Sequence, residues 1–168
     1  MGLRKSLSEY IFESMSDFKV VYNTNTKDVV DIADRYGFEL FKNNFDKNNN
    51  SFPYMDPNDI KYIIIKYHSD ICGILAYGIP PGLDSYRESR KDSSHNMFAH
   101  IFDLEVSEKY RGRKLSELLI SKCIDLCKKE KLSGVTLMAI DNSVAQMYER
   151  KFGFKVYNRK YRWMELKF

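Results

Sequence analysis

Two carboxylates stand where an apolar segment gives way to a polar one in the middle of the chain. Asp103 and Glu105 are two residues apart, so in a strand both side chains project to the same face. Partial burial at a strand end raises the pKa of a carboxyl group toward the range in which it accepts a proton at neutral pH. The pair is therefore a candidate general base, and the alternative that either carboxylate only faces solvent stays open. His100 is predicted to lie on the opposite face as a hydrogen-bonded core histidine.

The segment that follows has the composition of an anion site. Residues 110–116, Tyr-Arg-Gly-Arg-Lys-Leu-Ser, lead into an amphipathic helix, whose first N–H groups have no intrahelical partner and lie at the positive end of the helix dipole. Gly112 allows the backbone to come close to a ligand. Four basic side chains add charge around it, namely Lys109, Arg111, Arg113 and Lys114. A pyrophosphate fits such a turn, although many exposed strand-to-helix turns share this composition.

A second strand and a short helix follow the first helix. Residues 135–140 are apolar at nearly every position, which predicts a buried strand. Asn142 is predicted to cap a helix that carries Ala145 and Tyr148, and Gly153 is predicted to end it. This segment therefore couples a capped helix to a glycine stop.

Together these segments strongly resemble the GCN5-related N-acetyltransferase (GNAT) superfamily. Three pieces match its motifs: Leu104-Glu105-Val106, Tyr110-Arg111-Gly112-Arg113, and the Asn-x-x-Ala-x-x-Met-Tyr…Gly-Phe run from Asn142 to Phe154. The resemblance covers roughly residues 60–168 well and the first third of the chain weakly. Lys109 stands where the family usually has Gln or Arg, and Lys114 where it has a second glycine. Lys114 keeps its backbone N–H and adds an ammonium group that reaches toward a phosphate.

The resemblance implies an acetyl-CoA-dependent N-acetyltransferase that works by direct transfer to a primary amine. Tyr148 matches the family's general-acid tyrosine, and Asp103 matches an acidic position that several subfamilies use, with Glu105 as the second carboxylate. The resemblance also implies that strands 97–106 and 135–140 splay apart around the pantetheine arm. The implied acetyl-CoA contacts are Leu104, Val106, Lys109, Arg111, Gly112, Arg113, Lys114, Leu115, Ser116, Asn142, Ala145 and Tyr148. Among them, the Val106 N–H would hold the thioester carbonyl and Asn142 would contact the pantetheine.

Length and element order predict one α+β domain. The 168 residues, 43% of them hydrophobic, suffice for a single core, and we expect one acyltransferase domain over 1–168 with a helical extension over 1–17. The predicted architecture is a mixed, mostly antiparallel twisted sheet of six to seven strands, flanked by about four helices and an extra N-terminal helix. Strands are predicted over 18–23, 60–68, 71–79, 97–106, 135–140, 154–158 and 161–168, and helices from residue 25 or 26 and over 115–131 and 143–152.

Composition narrows the class of protein. No apolar run approaches the roughly 20 residues of a membrane helix, and the N-terminal residues lack the apolar block of a signal peptide. Three cysteines in apolar patterns indicate reduced core thiols and a cytoplasmic protein. Cys123 and Cys127 share a helix face without further ligands nearby in sequence, so no metal is predicted.

The acceptor and its class stay open. A small-molecule, peptide or protein amine is one interpretation, with a pocket from residues 43–58, 80–96 and 158–162. A toxin-type acetyltransferase of aminoacyl-tRNA is a second, because the size, the sequence pI of about 8.8 and the position of Tyr148 fit it. The net charge of +4 is modest and does not by itself imply nucleic-acid binding. A non-catalytic acyl-CoA-binding module is a third. Plain nucleic-acid binding ranks last, because the basic loop lacks interleaved aromatic residues. Oligomeric state, a homodimer included, is equally open.

Overall fold

A seven-stranded sheet organises the chain in the computed structural model, which describes residues 17–23, 25–39, 41, 59–80 and 97–168. The strands lie in the order β1-β2-β3-β4-β5-β7-β6, and β4–β5 is the one parallel pair among them. Their bounds are β1 Phe18–Asn23, β2 Lys61–Tyr67, β3 Asp70–Gly78, β4 Phe98–Val106, β5 Gly134–Met138, β6 Lys155–Asn158 and β7 Trp163–Lys167. The predicted mixed, mostly antiparallel sheet is confirmed.

Three α-helices accompany these strands in the described ranges, where about four were predicted. They are α1 (Thr26–Tyr36), α2 (Leu115–Lys129) and α3 (Asn142–Phe152), and a 3-10 turn at Glu108–Tyr110 precedes α2. The predicted helical extension over 1–17 lies outside the described residues, apart from Asp17. None of the helices in this part of the chain is long and apolar enough to cross a membrane.

Helices cover both faces of the sheet, and the strand sequences reflect this. Along β2, Ile63 and Ile65 belong to the core cluster beneath α2, whereas Ile64 belongs to the cluster beneath α1. A strand buried on both faces reads as a continuous apolar run rather than as an alternating one. Cys72, Cys123 and Cys127 are buried free thiols.

The ends of α1 and α2 follow local capping rules. The Asn25 side chain accepts hydrogen bonds from two N–H groups in the first turn of α1, and Gly37 ends the helix at φ +73°. Helix α2 stops at Lys129 rather than at the predicted residue 131. Lys131 takes a left-handed conformation with φ +58°, and the Leu132 N–H turns back to the Cys127 carbonyl at 3.0 Å, which closes the helix early.

Strand β5 is shorter than predicted. It ends at Met138, and Ile140 is 76% exposed although it was expected to lie in a buried strand. The physical reason is the loss of a neighbour, because β4 pairs with β5 only as far as Thr136. Beyond Thr136, the chain has β7 as a neighbour on one side and no longer has β4 on the other.

A β-bulge interrupts β4 and changes which face its residues occupy. Ala76 of β3 pairs with Asp103, whereas the next residue, Tyr77, pairs with Ile101. Phe102 is therefore an extra residue on β4. A bulge bends its strand and shifts the alternation of side chains by one position.

The bulge overturns the predicted orientation of His100. Ile101 and Leu104 both pack in the core beneath α2, so His100 and Glu105 share the opposite face although five residues separate them. The prediction that His100 is a hydrogen-bonded core residue is confirmed, because its Nδ1 lies 2.9 Å from Thr136 Oγ1. Burial lowers the pKa of His100 to about 4, so the imidazole is neutral at pH 7.

Candidate functional site

Strands β4 and β5 diverge and leave a cleft in the sheet. Residues Phe98–His100 pair with Gly134–Thr136, and the two strands do not pair beyond that point. At the closed end Gly134 is required, since a Cβ there would collide with the Leu166 carbonyl and the Phe98 ring. Tight packing at one end and the bulge at Phe102 account for the divergence, which agrees with the expected splay.

Backbone donors on β4 point into this cleft. The Ser107 N–H donates to the Cys72 carbonyl of β3 at 2.9 Å, which makes those two residues a hydrogen-bonded pair. In an antiparallel ladder the adjacent positions, Val106 and Leu104, must then direct their N–H groups away from β3. The Leu104 N–H is taken up by Asp103 Oδ1 at 2.8 Å. The Val106 N–H is thus the donor that β4 presents to a ligand in the cleft.

The two carboxylates lie on the face of the sheet away from α2. Glu105 follows Leu104, which packs in the core beneath α2, so its side chain and that of Asp103 project to the other side. Glu105 Oε2 accepts the Phe41 N–H at 3.0 Å. Burial raises the pKa of Glu105 above its ordinary value, and the hydrogen bond from Phe41 opposes that rise only in part. A partly buried carboxyl group with a raised pKa is what a general base requires.

Tyr148 lies on the other side of the sheet. It packs against the core cluster beneath α2, to which Leu104 and Val106 also contribute, and its ring centroid is 6.0 Å from that of Phe154. Burial raises its pKa, so the hydroxyl stays protonated at neutral pH. Within the part of the chain that the structure describes, this hydroxyl has no hydrogen-bond partner. The Tyr148 ring and the Glu105 carboxylate thus lie on opposite faces of the sheet.

The loop before α2 leaves the first N–H groups of that helix uncapped. Gly112 and Lys114 take left-handed conformations with φ +78° and +59°. Whereas Asn25 caps α1 and Asp141 caps α3, no side chain caps α2. Left-handed residues beside free helix N–H groups form a concave set of donors that suits an anion. The first two helical residues differ in burial, with the Leu115 side chain buried and Ser116 partly exposed.

Two of the predicted phosphate-binding cations have partners within the protein. Lys109 Nζ lies 2.6 Å from Asp70 Oδ2 in the β2–β3 hairpin. Arg111 donates from Nε to the Val106 carbonyl at 3.4 Å and pairs with Glu108 at 3.3 Å. Each of these side chains thus links the loop to a neighbouring carboxylate or carbonyl.

Arg113 and Lys114 are the exposed cations beside the uncapped N–H groups. The Arg113 guanidinium lies 5.5 Å from the centre of the Tyr110 ring. Tyr110 is itself buried, and its hydroxyl donates to Asp70 Oδ2 at 2.6 Å. The hydrogen bonds from Lys109 and then Tyr110 lower the pKa of Asp70. Asp70 thus anchors the loop, a role that its place in a hairpin turn did not indicate.

Helix α3 begins one residue earlier than predicted. Asp141, not Asn142, is its cap, because Asp141 Oδ1 accepts the Val144 N–H at 2.8 Å. The Asn142 side chain is therefore released from capping and is exposed. Ala145 is buried, and an ion pair between Lys151 and Glu117 ties α3 to the first turn of α2.

The predicted acceptor pocket can be placed only in part. Segments 43–58 and 80–96 lie outside the described residues, except for residue 80. The third segment, 158–162, forms the turn between β6 and β7, where Arg162 Nε donates to the Ala139 carbonyl at 3.0 Å. No group of three or more potential metal ligands occurs among the described residues.

We expect Lys114→Gly to stabilise the protein by about 0.5–1 kcal/mol. A side chain in the left-handed region costs about 1–2 kcal/mol, and the extra freedom of glycine in the unfolded chain offsets part of that gain. Urea denaturation measures the difference. Arg113→Gly is the control, because Arg113 is not among the residues with positive φ and its replacement should destabilise. Equal or lower stability of Lys114→Gly would contradict the argument.

Comparisons with known proteins agree on one family. The family model described as Acetyltransferase (GNAT) family matches residues 20–154. Among curated protein sequences, none matches the chain.

Solved structures share the fold at low sequence identity. NAA60 of Arabidopsis thaliana in complex with acetyl-CoA is 17% identical, with 89% of this chain and 100% of that chain covered and a TM-score of 0.56. AtaTR bound with AcCoA is 11% identical, with 91% and 94% covered and a TM-score of 0.61. A GNAT-family acetyltransferase from Listeria monocytogenes is 15% identical, with 88% and 92% covered and a TM-score of 0.57.

Proposed function

The chain belongs to the acetyltransferase (GNAT) family, and on that premise we propose that it transfers an acetyl group from acetyl-CoA to a primary amine. One observation carries the proposal. Strands β4 and β5 part, and α2, which follows β4, is the one helix of the three described whose N-terminus no side chain caps. Glu105 and Tyr148 lie on opposite faces of the sheet. An acyl donor with a pyrophosphate and an extended thioester arm matches that combination.

The loop before α2 and the first turn of α2 bind the acetyl-CoA. The N–H groups of residues 112–116 and the cations Arg113 and Lys114 bind the pyrophosphate. Lys109 and Arg111 position the loop through Asp70 and Glu108. The polar face of α3, with Asn142 exposed and Ala145 beneath it, borders the thioester arm.

The reaction is a direct transfer with three proton movements. Glu105, directly or through a water, takes a proton from the acceptor ammonium, whose pKa near ~10 keeps it charged at neutral pH. The amine nitrogen attacks the thioester carbon, and the Val106 N–H stabilises the charge that develops on the carbonyl oxygen. As the carbon–sulfur bond breaks, Tyr148 donates its proton to the leaving thiolate. The nitrogen loses its second proton, which returns the Tyr148 phenolate to the phenol directly or through water. Asp103 holds the Leu104 N–H and stays the second candidate for the base.

The acceptor amine binds on the face of the sheet that carries Glu105. A small-molecule, peptide or protein amine approaching from there meets the carboxylate first, while the thiolate leaves toward Tyr148. The amine thus approaches the thioester from one face, and the thiolate leaves toward the other. The base and the acid then act on different protons.

Calorimetry and a thiol-release assay test the proposal together. We expect coenzyme A to bind the purified chain, and acetyl-CoA to release free thiol with one of three pools, namely amines, peptides or charged tRNA. Absence of binding to coenzyme A and acetyl-CoA would refute the donor site. Binding without thiol release from any pool would favour the non-catalytic module. Release with charged tRNA that falls about 10³-fold between roughly 50 and 200 mM salt would favour an aminoacyl-tRNA acceptor.

A further inference from the structure

A cavity of about 370 Å³ lies at the opposite end of β4 from the cleft. Its floor is formed by Tyr77 at the end of β3 and Ala99 at the start of β4, and Leu132 closes it after α2. Cavities that hold small molecules usually measure about 300–1,000 Å³ and combine apolar walls with a few polar groups. The volume therefore suffices for a small ligand.

The cavity is lined by a tyrosine whose hydroxyl is not used within the described part of the chain. Tyr77 is only 4% exposed, and its hydroxyl has no hydrogen-bond partner among the residues described. In the same residues, no fully enclosed side-chain oxygen or nitrogen lacks a partner, so this hydroxyl keeps some accessible surface, and Tyr77 lines the cavity. Burial raises the pKa of Tyr77, which keeps the group a neutral phenol. The hydroxyl is therefore available to a ligand or a water molecule.

The charges at the rim favour a cation. Lys61 Nζ and Glu130 Oε1 are 2.7 Å apart and neutralise each other. Asp59, the third charged residue of the lining, has no ion-pair partner in the described part of the chain. The C-terminal end of α2, which carries a partial negative charge, lies immediately before Glu130. The lining thus carries one net negative charge next to an apolar interior.

We propose that this cavity is a second ligand site, for a small organic ammonium ion with an apolar body. The body contacts Ala99, Leu132 and Ile79, while the ammonium donates one hydrogen bond to the Tyr77 hydroxyl and faces the Asp59 carboxylate. The site is separate from the cleft, since Ala99 and Val106 are seven residues apart on β4, or roughly 20 Å at about 3.3 Å per residue. The proposal stands independently of the transferase function.

Titration of the full chain with N,N-dimethylphenethylammonium, followed by amide NMR shifts, tests the site. This tertiary amine has an apolar body and one N–H donor, and it cannot form a neutral amide, so turnover does not consume it. We expect saturable shifts at residues 77–79, 99 and 130–132. Tyr77→Phe removes only the hydroxyl and should weaken binding about 10-fold, as for a hydrogen bond to a charged group. Asp59→Asn should weaken it about 5-fold.

Matched controls separate this site from nonspecific binding. Tyr22→Phe removes an exposed hydroxyl from β1 outside the cavity and should leave the affinity unchanged. Ile79→Trp fills the rim from a partly exposed position and should abolish binding, while its dispersed spectrum reports an intact fold. Equal affinity for phenylacetate, unchanged affinity in Tyr77→Phe, or shifts confined to residues 104–116 would each overturn the proposal.

Discussion

Tyr148→Phe is expected to lower kcat about 10²- to 10³-fold and to leave the dissociation constant for acetyl-CoA nearly unchanged. The phenylalanine keeps the ring contacts with Phe152 and Phe154, at centroid distances of 6.4 and 6.0 Å, and loses only the proton donor. Because the hydroxyl has no partner in the described part of the protein, its removal breaks no hydrogen bond there and the unfolding free energy should change by less than about 1 kcal/mol. Thiol-release kinetics measure kcat, calorimetry measures the dissociation constant for acetyl-CoA, and thermal unfolding measures the change in stability.

The matched control for this variant is Tyr22→Phe. Tyr22 is 53% exposed on β1, the edge strand opposite to β6, which α3 contacts. Loss of its hydroxyl should not alter kcat. If Tyr148→Phe retained kcat within about 3-fold, which is less than general acid catalysis usually contributes, Tyr148 would be only a packed aromatic residue. The donor site would remain testable through coenzyme A binding.

The elements that carry the site were predictable because each has a strong periodic or capping signal. The run that became β4 ends in alternating apolar and acidic residues, and α2 has an amphipathic face with lysines in its last turn. These patterns sufficed to place Asp103 and Glu105 on one face and Tyr148 on α3. Such signals are local, and they act within a few residues.

The predictions that were wrong or missing concern features that depend on contacts between distant residues, or on two neighbouring residues that suit the same position equally well. Phe102 is an apolar, strand-forming residue, so nothing in its type distinguishes a bulge from a regular position, and His100 was therefore assigned to the wrong face. Asp141 and Asn142 are equally good helix caps, and tertiary geometry chose between them. The hydrogen bond from Tyr110 to Asp70 joins residues 40 positions apart, beyond the reach of any local pattern.

Glu105→Gln is expected to reduce kcat/KM for the amine about 10²-fold at pH 7, because glutamine cannot accept the proton of the acceptor ammonium. The glutamine oxygen can still accept the Phe41 N–H that now bonds to Glu105 Oε2 at 3.0 Å, so the local structure should persist. The pH dependence adds a second readout. Wild-type activity should fall at low pH through a pKa above that of an ordinary glutamate, and this limb should be absent from the residual activity of the variant. Glu149→Gln, an exposed position on α3, is the control.

Stability should move in the direction opposite to activity in Glu105→Gln. Because burial raises the pKa of Glu105, the native state binds this proton more tightly than the unfolded chain does. The group therefore lowers the unfolding free energy as pH rises from the unfolded-state pKa to the folded-state pKa, and the deficit is constant above that interval. Glutamine carries no charge at any pH, so the variant should have an equal or higher Tm than wild type at pH 7, and the difference should vanish below the ordinary glutamate pKa. A Tm at pH 7 that falls several degrees below that of wild type would mean that Glu105 supports the fold, and the loss of activity would then not identify the base.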